Sequence, residues 1–187
     1  VQQALECMAS LGRKEHWLVR DEEVTLSEGP LLGKGSFGVV MRGTYYGSSV
    51  AVKMPQEPLK RQPLATVCSL SNELRILRRG RHPNLVLFHG AVVDTKKSYI
   101  GLILELVDGV SMDEWRNHKR TPTMAAQYRV VLGICRALWF LHSQHPSIIH
   151  GDLKSSNVLV EGNHPFVNAK LLDFGLSRLL TNNSRPL

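Results

Sequence analysis

Two hydrophobic periods alternate along the chain and mark out its elements. From Gly38 the stretch Val39, Val40, Met41, Arg42, Gly43, Thr44, Tyr45, Tyr46 is rich in β-branched and aromatic residues, Gly47-Ser48-Ser49 offers a turn, and Val50-Ala51-Val52 resumes as a short apolar run closed by Lys53. That pattern predicts strand, turn, strand. From Leu64 to Arg79 the period changes: Leu64, Val67, Leu70, Leu74 and Leu77 recur at helical spacing, Glu73 lies beside the stripe and Gly80 supplies a stop. Ile100 to Val107, interrupted by Glu105 and ended by Asp108-Gly109, predicts a buried strand opening into a linker. Helical patterning returns from Pro122 to Leu141, with Thr121 as the candidate N-cap.

Four short strings carry the chemistry: GKGSFGVV from Gly33 to Val40, VAVK from Val50 to Lys53, HGDLKSSN from His150 to Asn157, and DFG from Asp173 to Gly175. A Gly33-x-Gly35-x-x-Gly38 triplet also suits a dinucleotide fold, but there a helix would follow, whereas here the sequel is strand and turn. Glycines suit a hairpin laid over phosphates, because backbone N–H groups must approach oxygens where any Cβ would intrude. A lysine closing an apolar strand is ordinarily a strand-end charge reaching solvent; the glycine loop fifteen residues upstream argues against that reading for Lys53. Single Asp and Asn residues in loops are mostly turn formers. Asp152-Leu153-Lys154-x-x-Asn157 with Asp173-Phe174-Gly175 sixteen residues on is a much more specific arrangement.

In this order the four strings resemble the protein kinase superfamily, most closely its tyrosine-kinase-like serine/threonine branch. The resemblance implies an α+β, two-lobed fold: an N-terminal antiparallel sheet with one helix, and a partial, mostly helical C-lobe. Residues 1–25 would be an N-terminal extension, 26–107 the N-lobe and 108–187 the C-lobe through the catalytic loop. It further implies ATP and Mg²⁺ as cofactors. Lys53, fixed by Glu73, would hold the α and β phosphates; Asp152 would orient the substrate hydroxyl, with the Lys154 charge near the moving phosphoryl group. Asn157 and Asp173 would offer the hard oxygens that Mg²⁺ selects. The glycine loop, Gly33, Lys34, Gly35, Ser36, Phe37 and Gly38, would cover the phosphates, with Phe37 shielding them from water. The backbone of Glu105 and Val107 would meet the adenine edge, Leu104 would back the pocket, and Val40, Ala51 and Leu159 would sandwich the ring.

One position departs from the family pattern. Most members have an arginine before the catalytic aspartate, which binds a phosphorylated activation loop; here that residue is Gly151. His150-Gly151-Asp152 also resembles the catalytic loop of small-molecule phosphotransferases of the aminoglycoside type, although those typically lack the full glycine loop with VAVK and the Phe-Gly after the metal-binding aspartate. A catalytically silent interaction module is a third reading, opposed by the presence of Lys53, Glu73, Asp152, Asn157 and Asp173 together. The lysine at position 154, where tyrosine-specific members usually differ, makes serine or threonine in a protein substrate the expected acceptor.

The chain has 187 residues, 43% of them hydrophobic, enough for one core or two small ones, and no run is expected to approach membrane-spanning length. The opening VQQALECMAS has no basic flank before an apolar core, so no signal peptide is expected. Cys7, Cys68 and Cys135, odd in number and widely spaced, suggest reduced thiols and a cytoplasmic setting. The net charge is +7, with Arg75, Arg78, Arg79 and Arg81 clustered; without interleaved aromatics this indicates a solvated helix end rather than a nucleic-acid surface. His142, His145 and His150 lack metal-ligand spacing. Asn182-Asn183-Ser184 fits a glycosylation acceptor that a cytosolic chain would not use. Because kinase domains continue well beyond the DFG segment and this sequence stops at Leu187, the expectation is a piece of a larger kinase, inactive alone, with regulatory domains outside it.

Overall fold

The computed structural model describes residues 1–35, 38–62, 64–117, 121–163 and 166–180. The chain divides into one unit of Val1–Arg78 with Leu87–Leu106 and a second of Arg79–Val86 with Val107–Leu187.

The first unit begins with helix α1 (Gln2–Lys14), whose buried residues Leu5, Ala9 and Gly12 recur every three or four positions and so share one face. Its strands are β1 (Leu18–Val19), β2 (Val24–Leu26), β3 (Gly33–Gly35), β4 (Gly38–Tyr45) and β5 (Ser48–Met54), followed by helix α2 (Leu64–Leu77) and strands β6 (Phe88–Asp94) and β7 (Tyr99–Glu105). All seven join one sheet in the order β1-β6-β7-β5-β4-β2, with β3 paired to β4. Every ladder is antiparallel except β1 with β6, which is parallel.

The hairpin between β4 and β5 closes on the pair Tyr45 and Ser48, so the turn is Tyr46-Gly47, earlier than the expected Gly47-Ser48-Ser49. A two-residue turn of this kind needs positive φ at both positions, and Tyr46 and Gly47 have φ of 46° and 79°. Tyr46 is anchored there by its hydroxyl, which donates to Glu23 Oε1 at 2.7 Å. Register then sorts the side chains. Val50, Val52, Met54 and Ile103 turn to one face and form a core cluster with Val19 and Val92. Val40, Ala51, Lys53, Leu102 and Leu104, being direct cross-strand partners or two apart on a strand, share the other. α2 stops at Leu77, short of the expected Arg79, where the Arg78 N–H closes the last turn on Leu74 O at 3.1 Å.

The second unit comprises β8 (Gly109–Ser111), α3 (Met112–Arg116), α4 (Met124–His142), β9 (Ser147–Ile149), β10 (Val158–Glu161), β11 (Asn168–Leu171) and β12 (Arg178–Leu180). β10 lies between β11 and β8, and β12 pairs with β9. The N-cap of α4 is Thr123, not the expected Thr121: its Oγ1 accepts the Ala126 N–H at 3.3 Å, three residues on, as a cap must. Ala126, Val130, Gly133, Ala137 and Leu141 form the buried stripe of α4, which packs on β11 and β9. At Gly133 a Cβ would meet Asn84 Nδ2 at 2.9 Å, so a side chain there would displace the Asn84 amide. Contrary to the expectation that no run reaches spanning length, α4, with nineteen residues, is long and apolar enough to cross a membrane by length and composition; its buried stripe serves this unit's core.

Candidate functional site

Within the first unit, Lys53 and Glu73 are brought together from β5 and α2. Lys53 Nζ donates to Glu73 Oε2 at 2.7 Å, and the side chains are 11% and 2% exposed. An ion pair sealed to that degree is held by geometry: each charge would be costly to bury without its partner. Val40, Ala51 and Leu104 lie on the same face of the sheet as Lys53, and Leu104 is directly paired with Ala51. Glu105 donates its N–H to Leu87 O at 2.8 Å, so its backbone could serve an adenine only through the carbonyl.

The glycine loop separates into two chemical cases. Gly38 is required by the fold itself: φ is 140°, and a Cβ there would stand 2.1 Å from Met54 O. Gly33 has only Val40 side-chain atoms near the site of a Cβ, at 3.9 Å or more, and Gly35 has nothing within 4 Å. The fold would accept a side chain at both. Glycines that the protein does not need for its own packing, on a strand end carrying exposed Lys34, leave room for something else to approach the backbone, which is the fit expected of a phosphate chain. Ser36 and Phe37 lie outside the described residues.

In the second unit the catalytic-loop residues converge on one carboxylate. Lys154 Nζ donates to Asp152 Oδ2 at 2.7 Å, and Asn157 Nδ2 donates to both Asp152 O at 2.8 Å and Asp152 Oδ2 at 3.0 Å. The Lys154 hydrogen bond, more than any other contact, holds the Asp152 carboxyl below the ordinary carboxylate range, so it is an anion at neutral pH. With its amide nitrogen committed to Asp152, Asn157 has Oδ1 as the atom suited to a hard cation. Asn157 O also accepts the Leu172 N–H at 2.8 Å, tying this loop to the residue before Asp173.

Asp173 has φ of 59°, in the left-handed region, and its Oδ1 accepts the Gly175 N–H at 3.3 Å. Non-glycine residues held there cluster at functional positions. Leu159, on β10, and Val107, whose carbonyl accepts the Gly109 N–H at 3.1 Å, belong to this unit as well.

Two organising residues, His150 and Ser177, were given no role by the sequence. His150 is 2% exposed; its Nδ1 accepts the Asp152 N–H at 3.3 Å and its Nε2 bonds Leu172 O at 2.9 Å, an arrangement that assigns the neutral Nε2–H tautomer. Burial lowers its pKa. Its ring lies 5.1 Å from that of fully buried Phe174. Ser177, also buried, donates its hydroxyl to His150 O at 2.7 Å. Gly151 has φ of 81°. The signal for His150 was its place directly before Gly151-Asp152; nothing local in the sequence marks Ser177.

Residues 26–186 match the protein kinase domain family. Among curated relatives, the serine/threonine-protein kinase VIK of Arabidopsis thaliana is 35% identical over 170 residues, 90% of this chain and 37% of that protein. The serine/threonine-protein kinase CTR1 of the same plant is 36% identical over 155 residues, 79% of this chain and 18% of the relative. Interleukin-1 receptor-associated kinase 1 of Bos taurus is 36% identical over 158 residues, 82% of this chain and 21% of the relative. The chain thus spans well under half the length of these relatives.

Proposed function

The chain belongs to the protein kinase domain family, and on that premise we propose that the protein carrying it is a serine/threonine kinase that transfers the γ-phosphate of ATP, with Mg²⁺, to a hydroxyl of a protein substrate. The observation that carries this reading is the Asp152 carboxylate, kept anionic and oriented by Lys154 and Asn157. A fixed anion is what a substrate hydroxyl needs as a hydrogen-bond acceptor, because in phosphoryl transfer positioning and charge stabilisation supply most of the acceleration.

Magnesium-bound ATP would supply the electrophilic phosphoryl group. Toward it, Lys53 contributes a cation that Glu73 holds in one place, and the Gly33 and Gly35 backbone contributes N–H donors unobstructed by side chains. Asn157 Oδ1 and the Asp173 carboxylate would ligate the metal. Lys154 places positive charge beside Asp152 at the point of transfer, and its presence favours serine or threonine as acceptor. By the kinase resemblance, Val40, Ala51 and Leu104 of the first unit and Leu159 of the second would offer apolar contact to the adenine ring, and the backbone of Glu105 and Val107 would meet its polar edge. Regulatory domains lie outside this segment in the proposed protein. It works in the cytoplasm, without nucleic acid as partner; the exposed, unbridged Cys7, Cys68 and Cys135 accord with a reducing compartment.

The test is phosphate incorporation from labelled ATP into a generic protein substrate and, in parallel, into an aminoglycoside, using the full-length protein. Labelled phosphoserine or phosphothreonine is expected. Label only in the aminoglycoside, or none in either substrate with active control kinases alongside, overturns the reading.

A further inference from the structure

Glu15 is where α1 ends: its N–H donates to Leu11 O at 2.9 Å. A carboxylate is unfavourable at a helix C-terminus, where the dipole is negative, yet here two donors hold it. Trp17 Nε1 donates to Glu15 Oε2 at 2.9 Å, and the Arg78 guanidinium forms an ion pair with the same oxygen. Arg78 is the first residue beyond α2, a position where a cation is favoured by the dipole. Its side chain is only 10% exposed, so this is not an ordinary surface pair.

The other side of the clamp is fixed to the sheet. Trp17 is 6% exposed; its carbonyl accepts the Ala91 N–H of β6 at 2.9 Å, and its ring stands 6.5 Å from that of Phe88. A Cβ on Gly12 would meet the Trp17 ring at 2.9 Å, so α1 closes tightly over the indole. Gly90 likewise has no room for a side chain, its Cβ position being 2.5 Å from Val19 Cγ2 and 2.8 Å from Trp17 O. The segment is therefore built into the first unit, and Glu15 links it to the end of α2.

Five residues before Arg78, on α2 itself, stands Glu73, whose carboxylate meets Lys53. The apolar face of α2, with Leu70, Leu74 and Leu77, is buried, and because that burial is non-directional it fixes the helix less sharply than a hydrogen-bonded ion pair does. Directional contacts set its register, and Lys53 with Glu73 and Arg78 with Glu15 are two such contacts on one rod. We propose, resting on the kinase reading, that Glu15 and Arg78 are positioning residues: the N-terminal segment clamps the end of α2 so that Glu73 stays seated on Lys53. Loosening the clamp would lower the fraction of molecules in which Lys53 is held for nucleotide phosphates.

The experiment compares wild type, Glu15→Gln, Glu15→Lys and the charge swap Glu15→Lys/Arg78→Glu in the full-length protein. The rate at which a small amine-reactive acylating reagent modifies Lys53, read by mass spectrometry without nucleotide, reports the Lys53–Glu73 pair independently of catalysis. Glu15→Gln retains an acceptor for Trp17 and loses only the charge. The expected result is that Glu15→Lys raises Lys53 labelling and the KM for ATP by about fivefold or more, that Glu15→Gln moves both in the same direction by less, and that the swap brings them back toward wild type. Variants that melt earlier yet leave Lys53 labelling unchanged would show a merely structural contact and overturn the proposal, as would a swap that restores nothing. If the wild-type protein phosphorylates no substrate, the kinase reading fails while the labelling arm still decides the clamp.

Discussion

A Cβ placed on Gly151 would stand 2.3 Å from the carbonyl oxygen of Leu176, and φ at this glycine is 81°. The backbone that follows Asp173 thus packs directly onto the residue before Asp152. Gly151→Ala must both enter a left-handed conformation and displace that carbonyl. Its expected cost is about 1–3 kcal/mol of unfolding free energy, measured by urea denaturation; a variant as stable as wild type would contradict the close approach.

The same contacts bear on regulation. Ser177 is bonded to His150 O at 2.7 Å and β12 pairs with β9, so the segment after Asp173 is tied to the catalytic loop without any phosphate. Phosphatase treatment of the full-length protein is expected to lower the initial rate by less than about threefold, under 1 kcal/mol. A drop of about a hundredfold that rephosphorylation restores, near 2.7 kcal/mol, would show that phosphate orders the segment after all. Thr181 and Ser184, possible acceptors, lie outside the described residues.

Lys53→Met is expected to abolish detectable phosphorylation, since it removes the cation placed for the phosphates. It also removes the ion-pair partner of Glu73, which is 1% exposed, and breaking a buried pair from one side costs about 3–5 kcal/mol. Thermal melting should therefore show a large loss for Lys53→Met and a smaller one for Lys53→Met/Glu73→Leu, with neither variant active. Retention of about a tenth of the wild-type rate, a loss of only 1.4 kcal/mol, would remove Lys53 from the site.

Asp173→Asn separates metal binding from folding. Asparagine accepts the left-handed conformation at least as readily as aspartate, so the variant is expected to melt close to wild type. Its nucleotide affinity should fall more with magnesium than without, because one anionic ligand of a hard cation is gone. Equal weakening under both conditions, followed by a fluorescent nucleotide titration, would assign Asp173 to the fold instead.

Acid lability follows from His150 and His82, whose pKa values burial lowers from the ordinary 6.5. Below that pH the unfolded chain binds protons that the folded chain resists, so stability rises with pH through this window and the contribution is complete above 6.5. Urea midpoints should decline from pH 7 to pH 5, and His150→Gln should flatten the slope. Asp152, also lowered, loses its contribution only at more acid pH, below its ordinary 3.8. A flat profile between pH 7 and 5 in wild type would refute the buried neutral imidazole.

The sequence by itself determined the elements whose signal is local. Glycine spacing, the β-branched run into Lys53, the leucine period around Glu73 and the Asp152-to-Asn157 spacing each depend on neighbours along the chain, so strand, helix and motif were legible, and the family with them. Boundaries were less so: the hairpin turn fell at Tyr46-Gly47, where the β4–β5 register closes and both residues hold positive φ, and the α4 cap fell at Thr123 because a cap is chosen by which side chain reaches the right N–H. Tertiary structure alone decided the rest. It separated Gly38, which the fold requires, from Gly33 and Gly35, which it does not; it laid α1 and β1 of the N-terminal extension into the first unit; it joined Ser177 to His150 and Arg78 to Glu15. Those relationships link residues 27 and 63 positions apart, and no periodicity along a chain records which distant backbone will arrive within a hydrogen bond's length.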